Sequence, residues 1–269
     1  AILHIENAKR KGSIDASMML QLATALDTLE TTLAADDTDT APIGLICISS
    51  GDFFCSGLDL NLAKNCINTS AHGSLMCDFM SDALARMYNA PLVSVSVVGG
   101  PALGGGSELV LATDYRIMRR HIRHSATSAP ALTPSSNFIQ SVHARIGASP
   151  GWGGASRLTS IVGRKHALRM LGTSCPVCAE EALQIGLVDE ILSDNIYDTS
   201  ASNLDNDIAA GINFLSPWLE QRYPGSVRGM KRIVSASSES DRQAVEAAVF
   251  GERWFGRDNR AALGLPSLP

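Results

Sequence analysis

The sequence predicts an α/β protein with a largely parallel sheet, and three observations lead there. Short apolar runs of strand length alternate with segments whose apolar residues recur at helical spacing. Glycines cluster where strands give way to helices, above all at Gly104-Gly-Gly106. Hydrophobic residues make up 45% of the 269-residue chain and charged ones 18%, which supplies a sizeable core and excludes a chain disordered as a whole.

The elements follow in order. Residues 2–5 predict a first strand, and the polar run 6–12, with Lys9, Arg10 and Lys11, a bend. Met19, Leu22, Leu26, Leu29 and Leu33 stand at helical spacing over 18–33, and an acidic loop follows over 34–42. The apolar run 43–49 predicts a strand in which Cys47 is a small buried hydrophobe. Residues 51–60 read as a loop running into a helix. Residues 75–88 read as a helix that stops at Asn89-Ala-Pro91. A buried strand over 92–98 leads through the glycine turn into a helix at 109–112, and a strand follows at 113–118. Residues 119–138 open on a basic cluster and read as a long irregular insert. Two helices, 155–162 and 164–171, are split by Gly163. A helix at 179–186 and a strand at 187–192 end the alternation. After a polar joint at 193–207 the pattern is helical only, over 208–219, 226–235 and 242–254. The division expected is an α/β core over 1–192 and a helical segment over 193–269, of the kind that packs on a neighbouring subunit.

Composition narrows the partners. A net charge of −5 argues against a nucleic-acid surface. No apolar run approaches the roughly 20 residues of a membrane span. Cys175-Pro-Val-Cys178 has zinc or redox spacing, but no second pair matches it and no strand precedes it. His121 and His124 have no acidic companion nearby. No metal site is assigned, and the six cysteines read as reduced thiols of an intracellular protein. The compartment expected is the cytosol, with mitochondrion and peroxisome as alternatives. The chain opens at Ala1, inside a strand and without an initiator Met, which leaves room for a preceding targeting segment.

The glycine turn carries the chemistry. Consecutive glycines let a backbone approach a ligand closely, and the first N–H groups of a helix lack internal partners. Such a place binds an anion, or an oxygen that gains charge during reaction. A phosphate loop would continue into Lys-Ser/Thr, and none follows. A dinucleotide turn would follow the first strand with an acid about 20 residues on, and Asp114 comes too soon.

Four ordered motifs make the chain resemble the crotonase superfamily, the enoyl-CoA hydratase/isomerase group. They are Phe54-Cys-Ser-Gly-Leu-Asp-Leu60, the block 91–114, Pro150-Gly-Trp-Gly-Gly-Ala-Ser-Arg-Leu158, and Ala182-Leu-Gln-Ile-Gly-Leu-Val-Asp189. The resemblance implies a spiral of ββα turns, C-terminal helices that assemble trimers or dimers of trimers, and an acyl-CoA substrate. It implies an oxyanion hole made by the N–H groups of Leu58, after Gly57, and of Gly105, after Gly104. Hydratases of the group handle water with two glutamates. Glu108 matches the first, and His143 stands in place of the second, so plain hydration is not expected. Cys55-Ser-Gly-Leu-Asp-Leu-Asn61, Val142-His143 and the late Trp254 look instead like the branch that decarboxylates ethylmalonyl-CoA and, less readily, methylmalonyl-CoA without metal or organic cofactor; coenzyme A is part of the substrate.

On that resemblance His143 is the first choice to protonate the α-carbon and Glu108 the second. Trp152 and Leu58 wall the acyl pocket. Lys9, Arg10 and Lys231 are candidates for the CoA phosphates, with Lys11 and Arg232 beside them. Blander readings stand next to these. Glu108 favours a helix dipole whether or not it catalyses, His143 is a hydrogen-bonded pocket histidine, Trp152 is core, and Asp59 caps a helix. The rival functions are an enoyl-CoA hydratase/isomerase and a non-enzymatic acyl-CoA-binding protein.

Overall fold

A computed structural model describes residues 1–35, 41–120, 136–192 and 202–266. Five strands form a parallel sheet in the order β1-β2-β3-β5-β8: β1 (Ile2–Ile5), β2 (Gly44–Ser49), β3 (Val93–Val98), β5 (Tyr115–Arg119) and β8 (Glu190–Leu192). A smaller sheet joins β4 (Ala102–Leu103), β6 (Phe138–Gln140) and β7 (Val177–Cys178), with β4 parallel and β7 antiparallel to β6. The helices between them are α1 (Ala16–Ala35), α2 (Leu60–Asn65), α3 (Ser70–Asn89), α4 (Gly105–Val110), α5 (Gly154–Thr173) and α6 (Ala179–Gln184). Four more follow: α7 (Asn203–Leu219), α8 (Pro224–Val234), α9 (Glu239–Arg253) and α10 (Arg257–Ala262).

Every residue of β2 and β3 is buried, as expected of parallel strands covered on both faces. Their side chains alternate between two cores. Leu45 and Cys47 join the large cluster with Leu22 and Leu26 of α1 and Met80, Leu84 and Met87 of α3, whereas Ile46 and Ile48 join Val93, Val95, Val97 and Ile117 on the other face. Burial pushes the Cys47 thiol up to about 12, which fits an inert core residue. Ser94 and Ser96 alternate with the valines, and their hydroxyls are satisfied by Asp114 and Thr113. Helix α7 covers the second face. Gly211 permits its approach, since a Cβ there would lie 2.7 Å from Ile46 Cγ2. Phe214 and Trp218 pack on Tyr115 at 5.4 and 5.1 Å between ring centres.

Several sequence expectations shift. The helix after the glycine turn begins at Gly105 rather than at 109, because the glycines themselves form its first turn. The insert ends in structure: Asn137 donates to the Val98 and Arg119 carbonyls and sets up β6, while residues 121–135, with His121 and His124, lie outside the described residues. The Cys175/Cys178 pair follows helix α5 rather than a strand, and Cys178 itself ends the two-residue strand β7, an element the sequence reading did not include. The polar joint is helical from Asn203 on, where the Ser202 hydroxyl accepts the Asp205 N–H. Gly163 breaks α5 at φ 72°, ψ 164°, where the sequence divides it.

Candidate active site

The site is built where two segments cross. The 55–59 segment is laced to the first bend by Ser56 N–H to the Lys11 carbonyl, Ile14 N–H to the Gly57 carbonyl and Asp59 N–H to the Ile14 carbonyl. It is laced to the glycine turn by Phe54 N–H to the Pro101 carbonyl and Leu103 N–H to the Cys55 carbonyl. Gly57 sits at φ +89°, and a Cβ on it would come within 2.9 Å of both the Gly105 nitrogen and the Leu103 carbonyl oxygen. The peptides of Gly57-Leu58 and Gly104-Gly105 are thereby neighbours. Among the described residues, no acceptor takes the Leu58 N–H or the Gly105 N–H. Both are main-chain donors in a buried neighbourhood, where partners are the rule.

Trp152 closes one flank. Its indole lies against Gly105, where a Cβ would meet ring carbons at 2.3 Å. The residue is 3% exposed and belongs to the large core, as its core reading expects. The indole Nε1 donates to Met76 Sδ at 3.1 Å, and the neighbouring Cys77 thiol donates to the Gly151 carbonyl. Helix α3 thus supports this wall through two side chains that nothing in the sequence singles out.

Glu108 is the best-anchored group in the site. It is 2% exposed. Its Oε2 accepts the N–H groups of Trp152 and Gly154, each at 2.8 Å, and its Oε1 accepts the Gly151 N–H at 3.3 Å. Gly154 opens α5, so this carboxyl caps that helix from a distant part of the chain. His143 lies on a 3-10 turn, His143–Ile146, with Nε2 3.2 Å from Glu108 Oε1 and Nδ1 2.9 Å from Ser141 Oγ. The turn reaches the glycines because the Gln140 carbonyl accepts the Gly104 N–H at 3.0 Å.

The remaining candidates divide. Lys9 and Arg10 form an exposed 3-10 turn beside Leu58, with Arg10 paired to Asp59 at 3.1 Å. Asp59 itself accepts the Leu62 and Asn61 N–H groups at the start of α2, as a cap does. The Leu62 N–H first, then the Asn61 N–H and the Arg10 guanidinium, hold its carboxyl below the usual range. The structure does not bring Lys231 to this group. Its ammonium is buried, bound by Asp114 and by the Tyr88 carbonyl at 3.0 Å, and lies 5.2 Å over the Tyr88 ring. Arg232 is taken by Glu252. Cys55 lies under the crossing with its thiol pushed up to about 12 by burial. Of the contributors absent from the sequence reading, only Ser141 had a signal available: it stands two residues before His143.

Comparison with known proteins agrees with this architecture. A family model described as enoyl-CoA hydratase/isomerase matches residues 1–223. Proteins named ethylmalonyl-CoA decarboxylase are similar over nearly all of the chain. The one from Gallus gallus is 34% identical over 268 residues, covering 97% of this chain and 78% of the relative. The one from Xenopus laevis is 35% identical over 263 residues, covering 96% and 77%. The one from Homo sapiens is 32% identical over 268 residues, covering 97% and 76%. Among solved structures, an enoyl-CoA hydratase from Bacillus anthracis superposes with a TM-score of 0.77 at 18% identity, covering 98% of this chain and 91% of that one. DspI from Pseudomonas aeruginosa gives 0.76 at 24%, covering 98% and 88%. These two likenesses establish the crotonase fold.

Proposed function

The chain belongs to the enoyl-CoA hydratase/isomerase family, and from that premise we propose that it decarboxylates a short alkylmalonyl-CoA, ethylmalonyl-CoA or methylmalonyl-CoA, through a thioester enolate. The observation that carries the mechanism is the pair of free N–H groups, Leu58 and Gly105, on adjoining peptides. Breaking the bond to the carboxylate sends an electron pair into the thioester, whose oxygen gains charge. Fixed donors aimed at that oxygen stabilise the enolate more than the ground-state carbonyl, each by about 3 kcal/mol where such donors have been removed. Carbon dioxide is the leaving group, so no base is required. The thioester is the electron sink, so neither metal nor organic cofactor is required.

A proton then reaches the α-carbon. His143 is the donor, because its ring stands beside the glycine turn and both Glu108 oxygens are already occupied by main-chain N–H groups and by the ring itself. Glu108 acts as the anchor of that ring. Lys9 and Arg10, exposed beside Leu58, meet the CoA phosphates. The assembly is a homotrimer or a dimer of trimers, which would cover exposed apolar residues of the C-terminal helices such as Met230, Val234 and Phe250. The compartment is the cytosol.

The test pairs two assays. Release of carbon dioxide from ethylmalonyl-CoA, with little hydration of crotonyl-CoA, is expected. Hydration of crotonyl-CoA without loss of carbon dioxide would make the protein a hydratase. Binding of both thioesters without turnover of either, or of a broad acyl panel, would make it an acyl-CoA-binding protein.

A further inference from the structure

Ser141 follows β6, two residues before His143, and is buried. Its Oγ stands 2.9 Å from the ring's Nδ1, while Nε2 is 3.2 Å from Glu108 Oε1 and 3.9 Å from where a Cβ on Gly104 would sit. We propose that Ser141 is the positioning residue of the proton donor, holding the His143 ring so that Nε2 delivers a proton to the substrate's α-carbon. For its substrate this rests on the decarboxylase reading above.

An inventory of hydrogens carries the argument. The Glu108 oxygens act as acceptors toward three main-chain N–H groups, so the nitrogen facing them, Nε2, carries hydrogen. A neutral ring then has a bare Nδ1, which accepts the Ser141 hydroxyl hydrogen. A protonated ring has hydrogen on both nitrogens, and the same hydroxyl turns to accept. A hydroxyl serves both states; a carboxylate there would only accept, and a methyl would do neither. When the imidazolium gives up its Nε2 proton, the enolate's electron pair forms the new C–H bond and the thioester carbonyl re-forms. The ring is left neutral with its hydrogen on Nδ1, already bonded to Ser141. The bond to Ser141 keeps the ring from flipping while the Nε2–H bond to Glu108 is lost, and after product leaves the next proton reaches Nε2 from water and restores that bond. Ser141 is not placed as a nucleophile, because it bonds the ring nitrogen on the side away from Glu108 and the glycine turn.

The experiment compares wild type, Ser141→Ala, Ser141→Thr, His143→Ala and the double Ala variant on ethylmalonyl-CoA in D2O. Ser141→Ala is expected to lower kcat by about tenfold or more with KM within about twofold. It is also expected to scramble the face at which deuterium enters the α-carbon of butyryl-CoA. Threonine restores both, and the serine change adds nothing in the His143→Ala background. An unchanged kcat and deuterium face in Ser141→Ala, or full additivity in the double variant, overturns the proposal. Should wild type release no carbon dioxide, the decarboxylase reading falls separately, and the relay is read in exchange of the butyryl-CoA α-hydrogen for deuterium. Exchange absent from wild type, or left at the wild-type rate by Ser141→Ala, overturns the relay as well.

Discussion

A single methyl group added at position 105 would press into the Trp152 indole at 2.3 Å, which makes glycine there a condition of the site rather than a convenience of the turn. Gly105→Ala is expected to cost about 1–3 kcal/mol in denaturant unfolding, as overpacking does, and to lose most activity by displacing the N–H beneath it. Reducing Trp152 to a smaller residue in the same protein should recover the stability before the activity. Glu108→Gln tests a second residue-scale idea. An amide would turn an NH2 toward a main-chain N–H, so both kcat, by at least about tenfold, and stability, by about 1–3 kcal/mol, should fall together. A loss of kcat with unfolding unchanged would return Glu108 to a purely chemical role.

At the scale of elements, charge and close packing decide which segments hold. Asp59 caps α2 with a carboxyl held below its ordinary range. Its folded value lies under its unfolded one, so the stabilisation is fully present above about pH 4 and is lost as pH falls through the folded value. The stability gap between wild type and Asp59→Asn should therefore be widest above about pH 4 and close below it, as followed by acid unfolding. Gly211→Ala should destabilise the contact of α7 with β2 by about 1 kcal/mol, the crowding against Ile46 outweighing the gain in helix propensity. Elements with a long period were legible in the sequence: β2 and β3 from their apolar runs, α1 from its leucines, the break in α5 from Gly163. The two-residue strands β4 and β7 were not, because they exist by pairing with β6 and carry no pattern of their own.

For the whole molecule, a large sheet covered on both faces underlies the crossing of the 55–59 and 101–106 segments, and the C-terminal helices leave Met230, Val234 and Phe250 exposed, which is the basis of the proposed oligomer. Sedimentation should give a mass three or six times that of the chain, and charge substitutions at Val234 and Phe250 should lower it. A monomer at micromolar concentration would remove the oligomer from the proposal. The paired thioester assays belong to this scale as well, since they judge the chain as an enzyme.

The sequence by itself determined the α/β alternation, the family and the four motifs, because these are local: a period, a glycine run, a short string of residues. Only the tertiary structure decided what the side chains do. It spent Lys231 on Asp114 and Tyr88, though a basic residue on a helix carries no mark of its partner. It made Glu108 the cap of a helix that begins 46 positions later and brought Ser141 and Glu108 to opposite nitrogens of one ring. Such roles depend on which groups meet across the chain, and hydrogen-bond geometry over those separations is written only in the packed fold.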